Sequence, residues 1–165
     1  IEIVRHLCQV VAGCGPRRQP QPNADLIDPL QGLVHLCLRH HHRLFAEIQL
    51  FLRDGPEAGL PGLRRAEALV ARAREQVGDE VELMVDAWMS LDVEYAARLA
   101  DLLRPYRVKW LEDLLLPDDL EGYAELRRRA PGATLASGEH WYGVAPFAAA
   151  ASRGLVDILQ PDVAW

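Results

Sequence analysis

The chain has 165 residues, 50% hydrophobic and 25% charged, which is the balance of a globular domain rather than of a disordered tail, a collagen-like fibre or a disulfide-stapled mini-protein. It contains no run of 18 or more apolar residues, and its net charge of −6 disfavours a phosphate backbone, so neither a membrane nor nucleic acid is expected as a partner. Arg5 and His6 interrupt the first apolar stretch, so no signal-peptide pattern is present, and three cysteines are too few for a disulfide framework; a cytoplasmic location is expected.

Residues 1–53 carry no sustained period of 2 or 3.6. They hold Cys8, Cys14 and Cys37, five of the six histidines, and the tract Gly15-Pro16-Arg17-Arg18-Gln19-Pro20-Gln21-Pro22, which reads as an extended linker. This segment is poorly specified. The run His40-His41-His42 beside Cys37 lacks the paired spacing of a structural zinc site and reads as a solvated loop.

From residue 54 the pattern becomes regular. Leu63, Ala66, Leu69, Val70, Ala73 and Val77 recur at helical spacing, and Gly78 stops that helix. Val81–Asp86 reads as a strand, Asp92–Leu103 as a helix closed by Pro105, and Val108–Glu112 as the next strand. Pro117-Asp118-Asp119 starts a helix running to about Ala130, since carboxylates favour the first turn. Arg127-Arg128-Arg129 then reads as a dipole partner at its C-terminus. Thr134–Ser137 is a third strand, Val144–Ser152 a helix stopped by Gly154, and Leu155–Gln160 a fourth strand.

Strands beginning at residues 81, 108, 134 and 155, with a helix between each pair, predict an α/β fold built from βα units around a parallel sheet. No Gly-x-Gly-x-x-Gly follows a strand, so a (β/α) barrel is preferred over an open, dinucleotide-binding sheet. The length falls short of a closed eight-stranded barrel of roughly 200–250 residues or more.

Each predicted strand ends in an acid: Asp86, Glu112, Glu139 and Asp162. In a parallel (β/α) sheet the strand ends share one face, where such folds build their active sites. Three carboxylates converging there repel one another unless a cation compensates them, and oxygen-only donors suit Mg²⁺. The plain alternative is a set of unrelated loop-start residues or helix caps.

Four segments resemble the enolase superfamily, mandelate racemase subgroup: Val85-Asp86-Ala87-Trp88-Met89-Ser90, Lys109-Trp110-Leu111-Glu112-Asp113, Ser137-Gly138-Glu139-His140 and Asp157-Ile158-Leu159-Gln160-Pro161-Asp162-Val163. Within it the nearest likeness is to acid-sugar dehydratases of the L-rhamnonate type. The resemblance covers residues 54–165 and implies a partial TIM-type barrel, roughly strands 3 to 6. It implies Asp86, Glu112 and Glu139 as Mg²⁺ ligands. It implies Asp162 as the partner that orients a catalytic histidine of the seventh strand, and His140 as a residue facing substrate. The implied reaction removes the α-proton of a sugar acid, stabilises an enediolate on Mg²⁺ and eliminates the β-hydroxyl to give a 2-keto-3-deoxy acid. For full-length members it also implies a homo-oligomer.

Against the family pattern, the seventh-strand histidine would fall beyond Trp165, and Gln49 stands nearest a lysine position of the second strand. Asp113 stands where a second glutamate is usual, and Trp141 where a second histidine can follow His140. Two further expectations therefore stand beside the dehydratase: a catalytically inactive truncated or pseudogene product, and another acid-sugar dehydratase or racemase of the superfamily.

Overall fold

A computed structural model describes residues 47–163. The expectations for the proline tract, Cys37 and His40–His42 lie outside the described residues. Five strands and four helices alternate: β1 (Glu47–Phe51), α1 (Gly59–Val77), β2 (Glu82–Asp86), α2 (Val93–Leu103), β3 (Val108–Glu112), α3 (Leu120–Arg129), β4 (Leu135–Ser137), α4 (Val144–Arg153) and β5 (Ile158–Leu159).

All five strands are parallel and lie in chain order, β1-β2-β3-β4-β5. Chain order without a reversal is the winding of a barrel segment. An open doubly wound sheet would show a switch point where the order turns back. Period-2 alternation gives the sheet two faces. Leu50, Leu83, Val85, Leu111 and Leu135 join the helices in one hydrophobic core, whereas Met84 and Ala136 are buried outside that core, on the opposite face.

Strand β1 falls inside the segment for which the sequence pattern suggests no element. Its register, Gln49 opposite Met84 and Phe51 opposite Asp86, is that of a regular parallel neighbour of β2. The signal is present but short: Ile48, Leu50 and Leu52 alternate with polar or exposed residues before Gly55-Pro56 breaks the run.

The helices form for the reasons their sequences suggest. In α1 the buried stripe is Leu63, Ala66, Val70 and Ala73. In α2 it is Tyr95, Ala96, Leu99, Ala100 and Leu103, and the Asp92 carboxylate caps the helix by accepting from Tyr95 N at 2.7 Å. Asp119 caps α3 by accepting from Gly122 N at 2.8 Å. Leu99 has no exposed surface, so Leu99→Ala is expected to cost about 2–5 kcal/mol through lost burial and the cavity left behind. Urea unfolding of both chains measures it.

The base of the sheet is tied by arginines. Arg74 donates to four carbonyls, Tyr106 O, Gly78 O, Val81 O and Arg107 O, at 2.7–3.2 Å. The run Arg127–Arg129 does more than complement a helix dipole. Arg127 reaches Asp157 at 2.7 Å and Ala133 O at 3.1 Å, while Arg128 pairs with Glu125 and Arg129 with Glu94 on α2. No helix among the described residues is long and apolar enough to cross a membrane.

Candidate metal centre at the strand ends

The acids predicted at strand ends do gather at one mouth of the sheet, although not all of them end strands. Asp86 and Glu112 are the last residues of β2 and β3, paired in register, so their side chains share a face. Glu139 and Asp162 lie beyond the ends of β4 and β5, in the following loops. The sequence pattern extends β5 too far: its ladder covers only Ile158–Leu159, and Pro161 has no N–H to continue it.

Two of the carboxylates are held by specific donors. Asp86 Oδ1 accepts from Trp88 N at 2.8 Å and Oδ2 from Gln49 Nε2 at 3.2 Å. Glu112 is buried and accepts from Trp110 Nε1 at 2.7 Å, a pairing that follows from their places two apart on one strand face. Each oxygen keeps a further lone pair for a metal.

Gly138 sets the position of Glu139. Its φ of +136° suits glycine, and a Cβ there would stand 2.9 Å from Phe147 Cε1 and 3.1 Å from Gln160 N. Gly138→Ala is therefore expected to displace Glu139 and lower metal affinity by roughly 10–100-fold, the scale seen when a ligand loses its orienting support. Titration calorimetry with Mg²⁺ measures it.

The electrostatics are those of a crowded anionic site. Burial, reinforced by the charges of Glu112, Asp113 and Glu139, pushes the Asp86 carboxyl up to about 7. Burial, with Asp113, Glu112 and Asp162 as like-charged neighbours, also raises Glu139. Burial raises Asp113, against the hydrogen bond it accepts from Ser137.

Three residues outside the expected ligand set stand at this mouth, two of which, Asp113 and Gln49, the sequence marks only as departures from the family pattern. Asp113 has a left-handed backbone, φ +42°, which interrupts the strand alternation; its carboxylate stands beside Glu139 and His140. Ser137 Oγ donates to its Oδ1 at 2.6 Å and accepts in turn from the buried Tyr123 hydroxyl at 3.2 Å. Trp88 and Met89 also have positive φ, +43° and +61°, so the strained non-glycine residues gather at this mouth, Arg107 apart. Trp88 donates its indole N–H to His140 Nε2 at 3.1 Å, which places the proton of the neutral ring on Nδ1. Its exposed ring meets Phe51 edge-on at 6.0 Å. Gln49 is the third addition, through its bond to Asp86.

Comparison with known proteins identifies the family and the fold. A sequence model of the enolase C-terminal domain-like family matches residues 34–165, beginning upstream of the boundary drawn at residue 54. The L-rhamnonate dehydratase of Saccharopolyspora erythraea is 47% identical over 118 residues, 71% of this chain and 30% of that protein. The crystal structure of rhamnonate dehydratase from Gibberella zeae complexed with Mg matches with a TM-score of 0.70 and 35% identity, over 73% of this chain and 30% of that one. A racemase from Streptomyces coelicolor A3(2) with bound magnesium matches with a TM-score of 0.71 and 34% identity, over 84% of this chain and 37% of its own. The chain thus spans little more than a third of these relatives at most, and over that span it belongs to the enolase C-terminal domain-like family.

Proposed function

We propose that this chain carries the metal-binding part of an acid-sugar dehydratase of the L-rhamnonate type. The observation that carries the reading is the proximity of Asp86, Glu112 and Glu139 at the strand ends, where burial and mutual repulsion hold Asp86 far above the usual carboxylate range, although the trio whose ligand atoms stand within 4.8 Å of one another is Asp113, Glu139 and His140. An all-oxygen, anionic donor set of this kind fits Mg²⁺. The 47% identical dehydratase and the two magnesium-bound relatives support the same choice.

When bound, Mg²⁺ would neutralise the cluster and draw electron density from a substrate carboxylate, making the neighbouring C–H more acidic. The chain's own residues then have separate tasks. Asp86, Glu112 and Glu139 hold the ion, with Gln49, Trp88 and Trp110 fixing two of these carboxylates. His140 lies beside Glu139 and faces the sugar acid as a polar contact. Asp162, close enough to Glu139 to raise its pKa, would orient the seventh-strand histidine that the resemblance assigns to α-proton removal. Removing that proton and the β-hydroxyl releases one water and leaves an enol, which tautomerises to the 2-keto-3-deoxy acid.

Incubation of the purified chain with Mg²⁺ and L-rhamnonate, followed by an assay for the 2-keto-3-deoxy acid, tests the reading. Mg²⁺ binding that is lost in Asp86→Asn and Glu139→Gln is expected, and a folded chain that binds no Mg²⁺, or binds it unchanged in both variants, would overturn the reading. Product lost with EDTA would show that this chain alone turns over, and Mg²⁺ binding without product would favour the catalytically inactive alternative.

A further inference from the structure

His140 stands where two carboxylates in unequal environments meet. Its Nε2 is 3.2 Å from Glu139 Oε1 and 3.8 Å from Asp113 Oδ2, and ligand atoms of the three residues all lie within 4.8 Å of one another. Around a tetrahedral Zn²⁺ with bonds of about 2.0–2.2 Å, ligand atoms stand roughly 3.4 Å apart. The separations of 3.2 and 3.8 Å bracket that value.

Asp113 adds an independent observation. The residue is only 2% exposed, and while Oδ1 is held by Ser137, Oδ2 has no hydrogen-bond partner. A buried carboxylate oxygen without a donor is costly, and such exceptions call for an explanation. This oxygen stands 3.8 Å from His140 Nε2, and Asp113 supplies one carboxylate oxygen to the ligand group formed with Glu139 and His140.

We propose that Asp113, Glu139 and His140 form a second cation site, sharing Glu139 with the oxygen-only set but selective for a transition-metal dication such as Zn²⁺. The imidazole nitrogen is the reason: nitrogen donors favour zinc, whereas Mg²⁺ takes oxygen. Neither Asp113 nor His140 belongs to the set assigned to Mg²⁺, so the inference does not depend on the dehydratase reading. Trp88 regulates access to this site. Its indole N–H occupies the Nε2 lone pair that a metal needs, so binding must displace it.

The test is equilibrium dialysis of the full chain against buffered Zn²⁺ alone, with Mg²⁺ binding measured separately. The five histidines and three cysteines before residue 47 are common to every variant, so differences report on this site. Asp113→Asn and His140→Gln are each expected to remove one Zn²⁺ per chain, or weaken it more than tenfold, while Mg²⁺ binding persists. Trp88→Phe, which keeps a ring against Phe51 and removes the donor, is expected to tighten Zn²⁺ several-fold. Unchanged Zn²⁺ binding in both ligand variants would overturn the proposal and leave His140 as the acceptor of the Trp88 indole N–H. Equal loss of Mg²⁺ and Zn²⁺ in His140→Gln would also overturn it, since the two sets would then be one. Failure of the dehydratase reading is distinguishable, because it shows in Mg²⁺ binding and product formation and not in the Zn²⁺ count.

Discussion

Replacing Glu112 by Gln is expected to weaken Mg²⁺ binding by more than the roughly 10–100-fold that follows loss of a merely supporting partner. The substitution keeps volume and exchanges one carboxylate oxygen for an amide nitrogen, which Mg²⁺ does not accept as a ligand. Glu112 is 5% exposed and in register with Asp86 on the neighbouring strand, so no other side chain can move into its place without disturbing the sheet. Trp110→Phe supplies the graded control. It removes the indole that donates to Glu112 at 2.7 Å, leaves the carboxylate, and is expected to fall within the 10–100-fold range. Titration calorimetry gives both dissociation constants, and unchanged Mg²⁺ affinity in Glu112→Gln would refute the ligand assignment.

The second expectation concerns pH. The Asp86 carboxyl lies at about 7 in the folded chain against 3.8 when unperturbed. A folded-state value above the unfolded one means that the folded chain binds the extra proton between these limits. The stabilisation is therefore present in full below about pH 4 and is lost as pH rises through about 7. Asp113 and Glu139 are shifted in the same direction and add to the trend. Asp54, Glu94 and Glu121 are shifted downward by their arginine partners, so their contributions fall away only on further acidification and leave the interval from pH 5 to 8 to the cluster. Without metal, the chain is expected to lose about 1–2 kcal/mol between pH 5 and 8, or about 2–8 °C in Tm, with the partial exposure of Asp86 allowed for. Saturating Mg²⁺ should raise Tm more at pH 8 than at pH 5, because the ionised carboxylates are its proposed ligands. Asp86→Asn should flatten the metal-free profile. Thermal melts of both chains with EDTA and with Mg²⁺ decide the matter, and a metal-free Tm higher at pH 8 than at pH 5 would contradict the crowding.

The sequence made most of this structure legible, because α1 to α3 bury residues at helical spacing and β2 to β4 are bounded by glycine, proline and capping aspartates. β1 was harder to read. Five residues alternating around Gln49 offer little signal when an irregular stretch precedes them, and the pairing with β2 that defines the strand is a tertiary fact. The acids were legible as a periodic set because a βα unit has a nearly fixed length. Their heights were not, since Glu139 and Asp162 depend on where each ladder ends. Asp113 was hidden for a different reason. Adjacent residues on a strand point to opposite faces, and only its left-handed backbone brings it beside Glu139 and His140. The bond from Trp88 to His140 joins residues 52 apart in the chain, which no local pattern encodes.

The chain-order arrangement of the sheet has a kinetic consequence. Each strand hydrogen-bonds only to the strands that precede and follow it in sequence, so every pairing closes a loop of one βα unit, and loop-closure entropy enters in modest, similar steps. Folding can then advance by adding one unit to a docked neighbour. The proposed metal centre, which would draw one ligand from each of three successive units, is completed only when the last of them has docked, so metal uptake should lag behind the appearance of helix in a refolding experiment.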